Sequence, residues 1–235
     1  MQISDYLKKN PYPGRGLAIG KSEDGRSAVL VYFIMGRSVN SRNRIFVKNG
    51  EGIRTQAFDP EKLSDPSLII YDPVKVMKDM TVVSNGDQTD TVFSGLSNGL
   101  PFEKCLDGRT YEPDPPHYTP RITGLAIYEN RTLRYKMSIL KRDPEGTDRT
   151  LRLFWDYPET DAGFGSIIHT YLHDGNPLPS FEGDPESVEM PGNISSLTES
   201  VWNSLNRDNR ISLFVRFVNL ENGKTETEIR NANGS

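Results

Sequence analysis

The chain has 235 residues, 35% hydrophobic and 26% charged, with a formal net charge of −4. That length holds one large domain or two small ones with a sizeable core, and the acidic balance argues against a general nucleic-acid binder, which would carry a basic face. A lone cysteine, Cys105, excludes an intramolecular disulfide and argues against a cysteine zinc site. The first residues lack the apolar core of a signal peptide, and no run approaches the ~18 apolar residues of a membrane span, so the expected location is cytoplasmic, with no membrane partner.

Residues 1–13 read as a short leader with a helical turn, ending at Asn10-Pro11-Tyr12-Pro13. Residues 17–20 and 27–35 are predicted strands joined by the turn Glu23-Asp24-Gly25. A third strand, 45–48, closes at Asn49-Gly50. Residues 68–71 and 74–76 are apolar and β-branched, with Asp72-Pro73 as a kink or edge between them, and 81–84 stops at Asn85-Gly86. A helix starting near Asp87 is weakened by the glycines and asparagines through Gly99. The segment 111–120, with four prolines, is irregular. Residues 122–128 and 133–140 alternate around Asn130-Arg131 as a hairpin, and 151–155 is another strand. Ser196 to Glu199 reads as a capping box opening a helix with Leu197, Val201, Trp202 and Leu205 on one face. Residues 211–218 and 225–229 form a last hairpin around Asn222-Gly223. About ten strands against two or three helices make a strand-rich α+β single domain, spanning 14–230, with a flexible tail at 231–235.

The densest chemistry follows the second strand. Gly36 to Arg44 carries Arg37, Arg42 and Arg44 in a small polar turn directly after an apolar run. Three guanidinium forks suit phosphate or carboxylate oxygens. The same charges also suit a solvated loop that keeps an edge strand soluble. In the proline run, a rigid backbone can present Glu112 or Asp114 to a cleft as a general acid or base, or can simply form a stiff surface connection. Tyr71 ends an apolar segment, where its phenol reaches a pocket or the surface. The stretch 84–90 offers amides and carboxylates for a polar ligand, or for capping. His169 and His173 have a helix-face ligand spacing, but residues 167–172 favour a strand, so no metal site is expected. Gly163-Phe164-Gly165 is a weak phosphate loop and a good tight turn. Cys105 reads as a buried inert thiol.

Taken in order, Gly16-Leu17-Ala18-Ile19-Gly20, Gly36-Arg37-Ser38 with Arg42, Ile70-Tyr71, Val82-Val83-Ser84-Asn85-Gly86 with Thr89-Asp90-Thr91, Tyr111-Glu112 and Thr119-Pro120-Arg121-Ile122 resemble the archaeal-type IMP cyclohydrolase family. The matching covers roughly the first 130 residues; the second half matches only loosely, and the stretch 174–191 is an addition. The chain resembles a bacterial relative, a departure that leaves a shifted substrate or lost activity open. The resemblance implies a four-layer αββα sandwich like that of N-terminal-nucleophile hydrolases, without their processed nucleophile. It implies closure of 5-formamidoimidazole-4-carboxamide ribonucleotide to IMP, a purine nucleotide substrate and no cofactor. By position it implies catalytic roles for Arg42, Tyr71 and Glu112. Arg37, Arg44, Lys75 and Arg121 become candidates for substrate binding, phosphate above all, and Asn85, Asp87 and Asp90 for base or ribose. The alternatives are an amidohydrolase on the same scaffold and a non-catalytic nucleotide-binding protein. Edge strands and the arginine turn would permit a homo-oligomer with a shared site.

Overall fold

The computed structural model describes residues 1–234. After α1 (Ile3–Lys8), β1 (Arg15–Lys21) and β2 (Ser27–Met35) form a hairpin. The arginine turn holds one short helix, α2 (Val39–Arg42), whose start is capped by Ser38 Oγ accepting from the Ser41 N–H. Then come β3 (Arg44–Asn49), β4 (Gly52–Ala57), β5 (Val74–Met77) and β6 (Met80–Ser84). Helices α3 (Gln88–Ser97) and α4 (Phe102–Cys105) precede the long strands β7 (Arg121–Glu129), β8 (Thr132–Arg142) and β9 (Thr150–Tyr157). The chain finishes with β10 (Phe164–His169), β11 (Glu186–Glu189), α5 (Ile194–Ser204), β12 (Arg210–Asn219) and β13 (Thr225–Asn231).

The strands form two antiparallel sheets, ordered β11-β10-β1-β2-β12-β13 and β3-β4-β5-β6-β7-β8-β9. Period-2 alternation shows how they stack. On β2, Leu30, Tyr32 and Ile34 meet Phe46, Ile53, Val83 and Ile122 of the other sheet. Val29, Val31 and Phe33 face the opposite way, onto Ile3, Leu7, Leu197 and Val201 of α1 and α5. A strand covered on both faces reads as an unbroken apolar run, which is why 28–35 does. On the second sheet, Val82 and Leu125 turn outward to Val92, Phe102 and Leu106 under α3 and α4. Helices therefore cover the outer face of each sheet.

Several sequence expectations change. Residues 1–13 are built into the domain: Ile3 and Leu7 are 1% exposed, and burying two such side chains contributes roughly 3–6 kcal/mol. The segment 68–71 is a turn, not a strand, because Ile69 and Ile70 N–H fold back onto the Pro66 carbonyl. The α5 cap is Asn193, whose Oδ1 accepts from Ser196 N–H, so Ser196 lies inside the helix it was expected to open. At the tail, Asn231 is held by its side-chain bonds to the Phe46 backbone; Asn233 Nδ2 donates to the Arg42 carbonyl at 2.7 Å, and Ser235 lies outside the described residues. The strands β4 and β11 had no counterpart in the sequence reading, β4 because Gly52, Arg54 and Gln56 dilute its apolar pattern. Among the described residues no helix is long and apolar enough to cross a membrane.

Candidate active site

At one end of the sandwich the apolar rows between the sheets terminate in charge. On β1 the inward row Ile19, Leu17 continues to Arg15, and on β3 Phe46 is followed by Arg44. Both arginines project into the space between the sheets, where a charge is costly without a partner. Arg15 has one. Its Nη2 donates to both carboxylate oxygens of Glu112 at 2.6 Å, and Glu112 is 2% exposed. Burial pushes the Glu112 carboxyl up from its ordinary range, and the Arg15 charge in contact with it only partly opposes this. Arg15 itself stays protonated: its burial is outweighed by Glu112.

The proline run holds that carboxylate in place. Glu112 N–H donates to the Thr119 carbonyl at 2.9 Å, and Thr119 gives its own N–H and hydroxyl to Asp114 at 2.7 and 2.5 Å. With the Thr119 proton committed to a carboxylate, Tyr171 must donate its hydroxyl to Thr119 Oγ1, 2.5 Å away. The run is thus a clasp between β7 and the loop after β10, and not a free surface connection.

Arg44 is also 2% exposed, yet its Nε donates only to the Ser41 carbonyl at 2.8 Å. Among the described residues no carboxylate lies within ion-pair distance of it, and burial pulls its pKa down from the ordinary arginine value. Nearby, the hydroxyls of Tyr71 and Tyr32 are 2.9 Å apart and buried. Burial raises the Tyr32 phenol well above its usual range, so it remains protonated. Tyr71 is fixed by its backbone, which exchanges hydrogen bonds with the Thr55 hydroxyl. Arg37 pairs with Asp174 at 2.5 Å and lies over the Tyr12 ring. Tyr12, Arg15, Arg37, Arg44, Glu112 and Tyr171 line a cleft of about 360 Å³ together with Ser38, Ser41 and His117.

The other sequence candidates lie elsewhere. Arg42 is exposed and outside the lining, with Nε on the Gly36 carbonyl at 3.1 Å and Nη2 on Asn209 at 3.2 Å. Arg121, Asp87, Gln88 and Asn85 sit on the helix-covered face of the second sheet, at the start of α3. There Arg121 Nη1 donates to Asp87 and Gln88 at 2.8 Å each, and Arg109 joins the same carboxylate. Asn85 spends its amide on the Pro120 carbonyl, Ile122 N–H and Gln88. A Cβ on Gly86 would lie 2.6 Å from Arg121 Nη1, so only glycine lets that guanidinium pass. The Asp87 carboxyl, despite partial burial, is held below its ordinary value by the two arginines. Lys75 joins Asp72 and Asp90 on the outer side of α3. The structure therefore brings Arg37, Arg44 and Glu112 together, with Tyr71 behind them. Asn85, Asp87 and Arg121 belong to a second network, from which the Arg121 charge still reaches Glu112, and Lys75 with Asp90 forms a pair of its own.

Sequence reading missed Arg15. A single arginine before an apolar segment looks like a polar flank; its one signal was that it continues the inward alternation of β1. The histidines do not converge. His169 Nδ1 donates to the Tyr171 carbonyl at 2.9 Å, Nε2 accepts from the Tyr6 hydroxyl at 2.7 Å, and burial lowers its pKa to about 4. His173 is exposed. No group of three or more potential metal ligands occurs among the described residues. Cys105 is buried, and burial raises its thiol pKa.

A shielded carboxylate of raised pKa, a phenol pair and a buried guanidinium with no counter-ion among the described residues thus lie together between two stacked antiparallel sheets. The family model described as "IMP cyclohydrolase-like protein" matches residues 12–224, and the chain belongs to that family. It is 33% identical to the IMP cyclohydrolase of Methanopyrus kandleri over 180 residues, covering 73% of this chain and 89% of that protein. To the IMP cyclohydrolase of Methanococcus maripaludis it is 33% identical over 128 residues, 53% of this chain and 62% of the relative. The Methanothrix thermoacetophila enzyme of the same name is 35% identical over 121 residues, 48% of this chain and 57% of that protein.

Proposed function

We propose that this cleft closes 5-formamidoimidazole-4-carboxamide ribonucleotide to IMP with loss of water. The observation that carries the reading is the buried Arg15–Glu112 pair facing the uncompensated Arg44 across one cleft, in a member of the IMP cyclohydrolase-like family. The carboxamide nitrogen is a weak nucleophile and must be held against the formyl carbon in a near-attack geometry. As the N–C bond forms, one proton leaves the carboxamide nitrogen. A second leaves the formamido nitrogen when the C=N bond forms, and both depart with the formyl oxygen as water.

Glu112 has the environment for the first transfer: desolvation raises its pKa, which makes its carboxylate a stronger base than an exposed one. Tyr32, kept protonated, donates to Tyr71 and leaves the Tyr71 proton for the formyl oxygen. Arg15 stabilises Glu112 in its ionised form, and Arg44 with Arg37 holds the 5′-phosphate, which supplies the counter-charge that Arg44 lacks. Arg42 has a positioning role, tying Gly36 to Asn209 so that the turn keeps its shape. Asn85, Asp87 and Arg121 likewise shape the start of β7, with Lys75 and Asp90 bracing α3. Helices on the outside of both sheets support the likeness to N-terminal-nucleophile hydrolases. Purine synthesis fits a cytoplasmic protein, and a homo-oligomer with a shared site is consistent with the open edges of β9 and β13.

The family match favours this reading over an amidohydrolase or a binding protein without turnover. Incubating the purified protein with the formamido nucleotide and following purine absorbance tests it directly. Glu112→Gln and Tyr71→Phe should each lower turnover by on the order of 10²–10³. Tight binding without IMP would make the chain a binding protein, and absence of both binding and turnover would end the nucleotide reading.

A further inference from the structure

The far end of the sandwich carries a second buried arginine of the same kind as Arg44. Along β2, Met35 marks the active-site end and Ser27 the other, eight residues and ~27 Å away at strand rise. At that distant end a cleft of about 760 Å³, larger than the active-site cleft, opens between the end of β12 and the β5–β6 and β7–β8 turns. On β12, Phe214 and Val218 point between the sheets, while Val215 and Phe217 point outward. Arg216 therefore occupies an inward position that alternation reserves for an apolar side chain. It is 5% exposed and lines the cleft.

Its hydrogen-bond partners are all neutral, although the Glu51 carboxylate, which also lines the cleft, is near enough for its charge to act on the guanidinium. Nε donates to Thr227 Oγ1 at 3.1 Å and Nη2 to the Glu51 carbonyl. Among the described residues no carboxylate lies within ion-pair distance, and burial lowers its pKa from the ordinary arginine value. Arg121, buried to a similar degree, and the less buried Arg15 each hold a carboxylate. A guanidinium sunk in a core without a counter-ion is costly. It is retained where an anion arrives from outside. Tyr128 supplies an adjacent aromatic wall, its hydroxyl committed to Thr81 Oγ1 at 3.0 Å. The lining carries Lys78 and Arg131 but also Glu51, Asp79, Glu129 and Glu221, which disfavour multiply charged anions.

We propose that this cleft is a second binding site, which takes a single oxyanion group of a small molecule on Arg216, about a sandwich length from the active site. The inference stands apart from the ring-closing reaction. It is tested by titrating the full chain, labelled with 15N at arginine Nε, with dimethyl phosphate and separately with acetate, both single-charged oxyanions. The Arg216 resonance should shift saturably below about 10 mM, ten times the dissociation constant of a millimolar site. The arm with the lower midpoint tells phosphate from carboxylate. Arg216→Met should abolish that response while turnover stays within twofold of wild type. Because Arg216→Met can also disturb the core, Thr227→Glu gives a second arm: a carboxylate supplied from the paired strand should occupy Arg216, remove the response and raise the melting temperature. An unshifted Arg216 resonance in both titrations, or a response that survives Thr227→Glu, overturns the proposal.

Discussion

Two corners of this molecule are built from the same residue types and behave oppositely. On the helix-covered face of the second sheet, Arg121, Arg109, Asp87, Gln88 and Asn85 satisfy one another, and the network is closed. Between the sheets, Arg15 and Glu112 are paired but Arg44 has no counter-ion among the described residues. A closed network contributes to stability and has little left to offer a ligand. An open one costs stability and is ready to bind. Charge alone does not mark a site; charge left unanswered in a buried place does.

Substitutions can break or sharpen that contrast. The largest effect belongs to Glu112→Gln, which should reduce kcat by on the order of 10²–10³ while leaving substrate affinity within tenfold, as measured by steady-state kinetics. Next, Arg15→Met removes the positive group in contact with Glu112. The carboxyl pKa, already raised by burial, rises further, so the acid limb of the kcat/KM profile moves to higher pH. A profile that stays in place would show that Arg15 does not set the Glu112 charge. Arg44→Met should raise KM by roughly 10²-fold, the worth of a charge-assisted contact, with no loss of denaturant midpoint because an uncompensated charge has been removed. In the closed corner Arg121→Met should do the reverse: unfolding free energy falls by about 2 kcal/mol, and KM moves far less than for Arg44→Met. If the two variants exchanged phenotypes, the distinction between open and closed corners would collapse. The smallest change is expected for Arg42→Ala, about tenfold or less in kcat/KM, as fits the loss of bonds to neutral partners at the surface.

His169 gives a check on burial that is independent of the substrate. Its folded pKa of about 4 lies below the ordinary 6.5, so the unfolded chain binds the extra proton first. The neutral form costs nothing above pH 6.5, and stability should fall as pH drops from there to about 4, by roughly 3 kcal/mol in all. Denaturant titrations of wild type and His169→Gln should converge at low pH if the Tyr6–His169–Tyr171 chain is the source; parallel curves would place the acid sensitivity elsewhere.

How much of this was legible in the sequence follows from what each signal encodes. The strands β2, β7, β8 and β12 were readable because continuous or alternating apolar residues report burial directly. The segment 68–71 has the same composition but is a turn, since Pro66 supplies a carbonyl that draws the following amides back, and local composition carries no trace of that bond. Motif order singles out Glu112 and Tyr71, and the structure buries both near Arg15 and Arg44. Arg42 and Arg44 could not be separated in one dimension: two residues apart, one continues the inward row of β3 and the other ends a surface helical turn. Asn85, Asp87 and Arg121 are near Tyr71 and Glu112 in the chain, but their side chains bond chiefly to one another, with only the Arg121 charge reaching Glu112, and chain order does not encode that. Arg15 meets Glu112 across 97 positions, a distance that no local pattern spans.

That separation also bears on time. Arg15, Tyr32 and Tyr171 belong to one sheet or its loops, and Arg44, Tyr71 and Glu112 to the other. Each half of the site can form as its own hairpins zip, but Glu112 has no partner until the sheets dock. Non-local closures of this kind come late in folding. During refolding, recovery of β-sheet circular dichroism should therefore precede the return of turnover, and the interval between them would time the meeting of the two sheets.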